Sequence, residues 1–212
     1  MQGLDPLTAA IVSGRREQAI AETQRCLDAG EDPHRIIELY LGPGMVLVGE
    51  AFKKNEIYVP EMLIAARAMK AALALLEPKL TATGRAPRHL ALIGTVKGDL
   101  HDIGKDLITA MWRGADIAVI DLGVDVPAET FAQATVEHRP DIVGMSALLT
   151  TTMRSMREAT AAVRATGVPV RIIVGGAPVS DDFAADIGAD GWGLDAAMAV
   201  DVARRLLGEP AL

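Results

Sequence analysis

The chain has 212 residues, half of them hydrophobic and 3% aromatic, with a formal charge of −7 at pH 7. That length supports one medium domain or two small ones with real apolar cores, and the apolar content excludes a disordered chain. Residues 1–88 carry 11 basic and 11 acidic groups and residues 89–212 carry 10 basic and 17 acidic, so there is no basic stripe for nucleic acid, whereas protein partners with basic docking faces would suit.

Cys26 is the only cysteine, which excludes an intramolecular disulfide framework or a cysteine zinc cluster and fits a reducing compartment. Its place in a helical segment makes it a small buried residue rather than a reactive thiol. The N-terminus lacks a basic patch followed by a long apolar region, and no later apolar run approaches a membrane span, so the expected location is the cytoplasm, with no membrane partner.

In chain order, the first region reads as helices. A short helix is expected near Pro6–Val12, and a second over Arg16–Ala29 that stops at Gly30. Asp32 and Pro33 can cap and start a third. From Pro60 to about Leu76, the residues Met62, Ala65, Ala66, Met69, Leu73 and Leu76 recur with helical spacing. Together these segments predict a four-helix bundle over residues 1–80, followed by a linker over 81–88, where Thr81–Pro87 loses the apolar period.

From His89 the period changes. Leu90–Val96, Ile117–Leu122, Ile142–Ser146 and Val170–Val174 are short β-branched runs separated by helix-length segments, and Gly191–Trp192 could add an edge strand. Helices are expected over Ile103–Arg113, Ala128–Glu137, Met153–Ala165, Asp181–Ile187 and Ala196–Leu207. The pattern predicts a doubly wound parallel α/β domain over 89–212, with its ligand beyond the C-terminal ends of the strands.

Asp99, His101 and Gly104 fall in the loop after the first strand. A histidine can ligate a transition metal through one ring nitrogen while a carboxylate orients the other. The spacing of Gly98 and Gly104 fits neither the dinucleotide nor the phosphate-loop pattern. Ser146 and Leu148 follow the third strand and Gly175 and Gly176 the fourth, so three loops converge at one sheet edge, where small residues could admit a long ligand tail and Ser146 and Thr150 could offer hydroxyls to it. Ordinary turn chemistry is the alternative, with a threonine among Thr150–Thr152 capping the Met153 helix.

Asp99-x-His101-x-x-Gly104, followed by Ser146-x-Leu148 and then Gly175-Gly176, resembles the cobalamin-binding signature of methionine synthase and of methyltransferase corrinoid proteins. The resemblance extends over roughly residues 35–206 and implies a helical cap before a flavodoxin-like cobalamin-binding domain. In that family a histidine takes the lower axial cobalt position. By resemblance His101 is that ligand, Asp99 its carboxylate partner and Thr152 the hydroxyl that extends the relay, although methionine synthase has serine there.

Gly98, Leu100, Asp102 and Gly104 belong to the same cofactor loop, Ser146, Leu148, Thr150, Gly175 and Gly176 match the nucleotide-tail pocket, and Ala196 matches a further contact. Phe52, Tyr58, Val59 and Met62 match positions that cover the upper face of the corrin; Phe52 and Met62 could equally be bundle core.

What the resemblance implies is a cobalamin or related corrinoid whose cobalt passes through methyl-Co(III), Co(II) and Co(I) states. The chain would take a methyl group from a substrate-specific methyltransferase and deliver it to an acceptor methyltransferase, tetrahydrofolate or a thiol being the final acceptor. An ATP-dependent reductive activator would restore oxidised cobalt. A cobalamin-dependent sensor, a corrinoid storage protein and a cofactor-free α/β interaction protein remain alternatives, the last distinguished by the absence of a corrinoid spectrum.

Overall fold

A computed structural model describes residues 3–83 and 88–209. Two compact units emerge, one formed by Met1–Arg88 with Ala110–Ile117 and the other by His89–Thr109 with Ala118–Leu212.

The first unit is helical. Helix α1 spans Pro6–Val12 and starts where the Asp5 carboxylate accepts the Leu7 N–H at 2.8 Å. Helix α2 covers Arg16–Asp28 and ends before Gly30, whose φ of +79° is the left-handed stop that glycine permits. Asp32 caps α3 (Pro33–Ile36) by accepting from the N–H groups of His34 and Arg35 at 2.9 and 3.2 Å. A π-helical turn over Ile37–Leu41 then leads into α4 (Gly42–Lys53), so 33–53 form one continuous helical run. The wide turn immediately precedes Pro43, which has no N–H to give and whose ring would crowd the carbonyl one turn back in a regular helix.

Helix α5 runs over Val59–Thr83, seven residues beyond the expected end at Leu76. The expected linker therefore begins in helix at 81–83, while 84–87 lie outside the described residues. Leu7, Ile11, Ile36, Leu41, Met45, Met62, Met69 and Leu76 are fully buried, each burial stabilising by about 1.5–3 kcal/mol. Glycine lets α1 and α4 approach closely, since a Cβ on Gly44 would lie 2.9 Å from the Ile11 side chain.

The second unit is a five-stranded sheet with order β2-β1-β3-β4-β5, built from β1 (His89–Thr95), β2 (Ile117–Asp121), β3 (Ile142–Ser146), β4 (Arg171–Gly175) and β5 (Gly191–Gly193). The β1–β3, β3–β4 and β4–β5 pairs are parallel. The helices that follow its strands are α6 (Ile103–Gly114), of which only residues 103–109 belong to this unit, α7 (Ala128–His138), α8 (Met153–Ala165), α9 (Asp181–Asp186) and α10 (Ala196–Leu207). The apolar β-branched strands are buried because helices must cover a parallel sheet on both faces, and Leu92, Val143, Met145, Ile172 and Val174 share a core with Phe131, Met156 and Val163.

Register fixes where ligand loops can start. Thr95 pairs with Ser146, Ser146 with Gly175, and Gly175 with Gly193, so these four residues form one row across the C-terminal edge of the sheet. The strand order reverses between β1 and β3, the switch point at which such sheets open a crevice. Among the described residues no helix is long and apolar enough to cross a membrane.

Candidate functional site

The crevice edge is occupied by the loop Val96–Asp102 after β1 and the loop Ala147–Leu149 after β3. Gly98, at φ +84°, turns the first loop. It brings Asp99 back under the sheet edge, where the carboxylate is completely buried.

Burial of an ionised carboxylate is costly unless its oxygens are satisfied, and here both are. Oδ1 accepts from His101 Nδ1 at 2.7 Å and from the His101 backbone N–H at 3.2 Å. Oδ2 accepts from the N–H groups of Leu148 and Leu149 at 2.7 and 3.2 Å and from the Thr152 hydroxyl at 2.8 Å. Burial alone pushes the Asp99 pKa up, but the hydrogen bonds from His101, Leu148 and Thr152 overcome it and hold the carboxyl well below the usual range.

An ionised carboxylate can only accept, so the His101 ring carries its proton on Nδ1. Nε2 is left with its lone pair on a side chain that is 52% exposed, and no hydrogen bond within the described residues engages it. The ring is thereby held in one tautomer with Nε2 open, as a metal ligand requires. Among the described residues no group of three or more His, Cys, Asp or Glu side chains gathers around an ion; one imidazole suits a metal that brings its equatorial donors with it, as cobalt in a corrin does. Gly104, in the first turn of α6, is open: a Cβ there would meet nothing within 4 Å.

The predicted residues divide in three ways. Asp99, His101 and Thr152 come together as a hydrogen-bonded triad, with Thr152 buried at the end of a 3-10 turn over Thr150–Thr152. Its hydroxyl makes no helix cap for α8 and lies instead 2.8 Å from both Asp99 Oδ2 and the Leu149 carbonyl. Leu100, Asp102, Leu148 and Thr150 are exposed along the same edge, Ser146 is half-buried, and Ala196 is buried at the start of α10.

Gly175 and Gly176 lie against neighbouring backbone. A Cβ on Gly175 would lie 2.8 Å from the Gly193 carbonyl oxygen, and one on Gly176 (φ +123°) would overlap the Ala147 carbonyl. These glycines let the loop backbones approach closely. In the helical unit, Tyr58 and Val59 are exposed, Phe52 is half-buried and Met62 is completely buried.

Sequence reasoning missed the outer support of the loop. Lys105 is buried and donates to Asp106 at 2.6 Å and to Asp121 at 2.5 Å. Burial works to lower its pKa, but the two carboxylates outweigh it and hold it above the ordinary value. Asp125, at φ +54°, accepts the Gly98 N–H at 2.7 Å and donates its own N–H to the Asp99 carbonyl at 2.9 Å. The Gly123-x-Asp125-x-Pro127 turn was the available signal for Asp125; nothing in the pattern marked Lys105 as buried.

Fold and site thus define a helical region joined to a flavodoxin-like domain whose switch-point loops present one oriented imidazole. Known proteins share this arrangement. The B12 binding domain family matches residues 90–201, and a second B12 binding domain family matches residues 4–77. The chain is 38% identical over 214 residues to a corrinoid protein of Desulfitobacterium hafniense, covering 99% of each. It is also 38% identical over 208 residues to dimethylamine corrinoid protein 2 of Methanosarcina acetivorans, covering 96% of this chain and 95% of that one. Among solved structures, a cobalamin-binding protein from Desulfitobacterium hafniense superposes with a TM-score of 0.75 at 30% identity, covering 94% of this chain and 96% of that one. A chain of the methanol:cobalamin methyltransferase complex from Methanosarcina barkeri gives a TM-score of 0.82 at 29% identity, with 97% and 80% covered. The chain belongs to the B12-binding family of corrinoid proteins.

Proposed function

We propose that the protein is the methyl-carrying corrinoid subunit of a multicomponent methyltransferase system, loaded by a substrate-specific methyltransferase and unloaded by an acceptor methyltransferase. The observation that carries this reading is the His101 imidazole, pinned at Nδ1 by an ionised, buried Asp99 with Nε2 free. Relatives named as dimethylamine and trimethylamine corrinoid proteins support it. Bound corrinoid supplies the cobalt that takes up and releases the methyl group.

His101 would hold the cobalt of a bound corrinoid through Nε2, and Asp99 fixes its tautomer. Asp99, held ionised by its amide and hydroxyl donors, leaves the Nδ1 proton on the His101 ring and does not take it over. Thr152 serves this arrangement as a donor to the carboxylate. Thr152 supplies the same hydroxyl that serine supplies in methionine synthase. Ser146, Leu148, Thr150 and Ala196 contribute to the nucleotide-tail site, and Gly175 and Gly176 shape it by fixing the loops that border it. Phe52, Tyr58, Val59 and Met62 would be the helical unit's contribution to a bound corrin, with Tyr58 and Val59 exposed and Met62 buried.

A reductive activator that uses ATP would be a further partner of a carrier of this kind. Transfer of a labelled methyl group tests the assignment. Loading that requires a donor methyltransferase and unloading that requires an acceptor methyltransferase are the expected results. Complete turnover of free donor and acceptor by this chain alone would overturn the carrier role.

A further inference from the structure

The histidine loop is gripped at a second point, outside the triad. Thr95 ends β1, is completely buried, and donates its hydroxyl to the His101 carbonyl at 2.9 Å. Its own backbone is fixed, because its N–H donates to the Gly123 carbonyl and its carbonyl accepts from Val126, both at 2.9 Å. The side chain therefore joins an immobile strand end to the main chain of a residue six positions on.

This bond does what Asp99 cannot. Asp99 reaches His101 through Oδ1 alone, which takes both the ring Nδ1 and the backbone N–H. Held at one point, the histidine can pivot about that oxygen; held also at its carbonyl, it cannot. Threonine hydroxyls commonly serve their own neighbouring backbone, and here the hydroxyl closes the loop instead.

We propose that Thr95 is a positioning residue for His101, holding its main chain so that Nε2 keeps one direction when the imidazole is not on the metal. The inference rests on the reading of His101 as the axial ligand. Thr95→Val keeps the β-branched shape suited to a strand and removes only the hydroxyl, Thr95→Ser restores the hydroxyl, and Thr95→Ala removes it with a smaller group should the valine variant not fold. Two readouts are needed: ¹⁵N relaxation of the His101 amide and ring in the cofactor-free protein, and nitrogen splitting in the paramagnetic resonance of protein loaded with cob(II)alamin.

The valine or alanine variant is expected to bind one cobalamin per chain, with His101 more mobile than its neighbours and nitrogen ligation weakened about tenfold, the scale found for partners that orient a metal ligand. The serine variant should recover both. Wild-type order and wild-type nitrogen splitting in the folded valine or alanine variant would overturn the proposal, as would failure of serine to rescue. Absence of histidine nitrogen splitting in the wild-type protein would instead defeat the ligand assignment, and the relaxation data on cofactor-free protein would still decide whether Thr95 holds the His101 main chain.

Discussion

Replacing Asp99 with asparagine should reverse the histidine tautomer. The carboxylate receives two donors on Oδ1 and three on Oδ2. An amide has only one oxygen, and the three donors from Leu148, Leu149 and Thr152 claim it. Its NH2 group then faces His101, where it can donate to Nδ1 only if the ring proton moves to Nε2, which removes the lone pair a metal needs. Losing a hydrogen bond to a charged group costs about 1.5–3 kcal/mol, or about ten- to a hundredfold in the population of the competent tautomer. Imidazole ¹⁵N shifts of the cofactor-free variant read the proton position directly, and urea unfolding reads the stability cost. The sign of the pH dependence follows from the depressed pKa: the stability that Asp99 contributes is fully present above its unfolded value of about 4 and is lost as pH falls below it. The difference between wild type and variant should therefore shrink on acidification. A ring that stays protonated on Nδ1, with unchanged unfolding free energy, would refute this account of the site.

Thr152→Val should destabilise the chain by about 1–2 kcal/mol because it removes a buried donor to Asp99, and Thr152→Ser should not; equal urea midpoints for valine and wild type would contradict the bond's role. Gly176→Ala forces a methyl group into the Ala147 carbonyl at a positive φ and should cost about 3–5 kcal/mol, whereas Gly104→Ala, with open space around it, should change thermal stability by less than about 0.5 kcal/mol. Similar losses in the two variants would show that loop packing is not what requires glycine at 176. Burial, aided by Glu31, pushes the Cys26 thiol up to about 11. At pH 8 the thiolate fraction is then about 0.1%, against about a quarter in an unfolded chain, so iodoacetamide should react roughly two hundredfold more slowly with folded protein. Equal labelling rates would place Cys26 outside the core.

The α/β half was legible because its signals are local. Parallel strands buried on both faces read as apolar runs, and the expected Ile142–Ser146, Met153–Ala165 and Ala196–Leu207 coincide with the observed elements. The end of α5 was not legible, since the loss of apolar period after Leu76 reports where burial fades and not where helical hydrogen bonding stops. The pairing of Asp99 with His101 could be read from a two-residue spacing, but the amides of Leu148 and Leu149 could not, because backbone donors leave no mark on side-chain identity. The glycine pair 175–176 was visible as a motif, but the carbonyls of Gly193 and Ala147 that a side chain there would strike were not, because backbone neighbours leave no mark on the sequence. Thr95 was hidden in plain strand sequence, where a β-branched residue needs no explanation.

The bonds from Asp99 to Leu148 and Thr152 span 49 and 53 residues. On the ribosome the histidine loop emerges first and must wait for the chain that will hold it. At about 5–20 residues per second, Thr152 is added roughly three to ten seconds after Asp99. Throughout that interval Asp99 has none of its β3-loop donors and the ring has no rigid mount. The hydrogen-bonded mount of His101 is therefore completed only once the loop after β3 has been made and folded back onto Asp99.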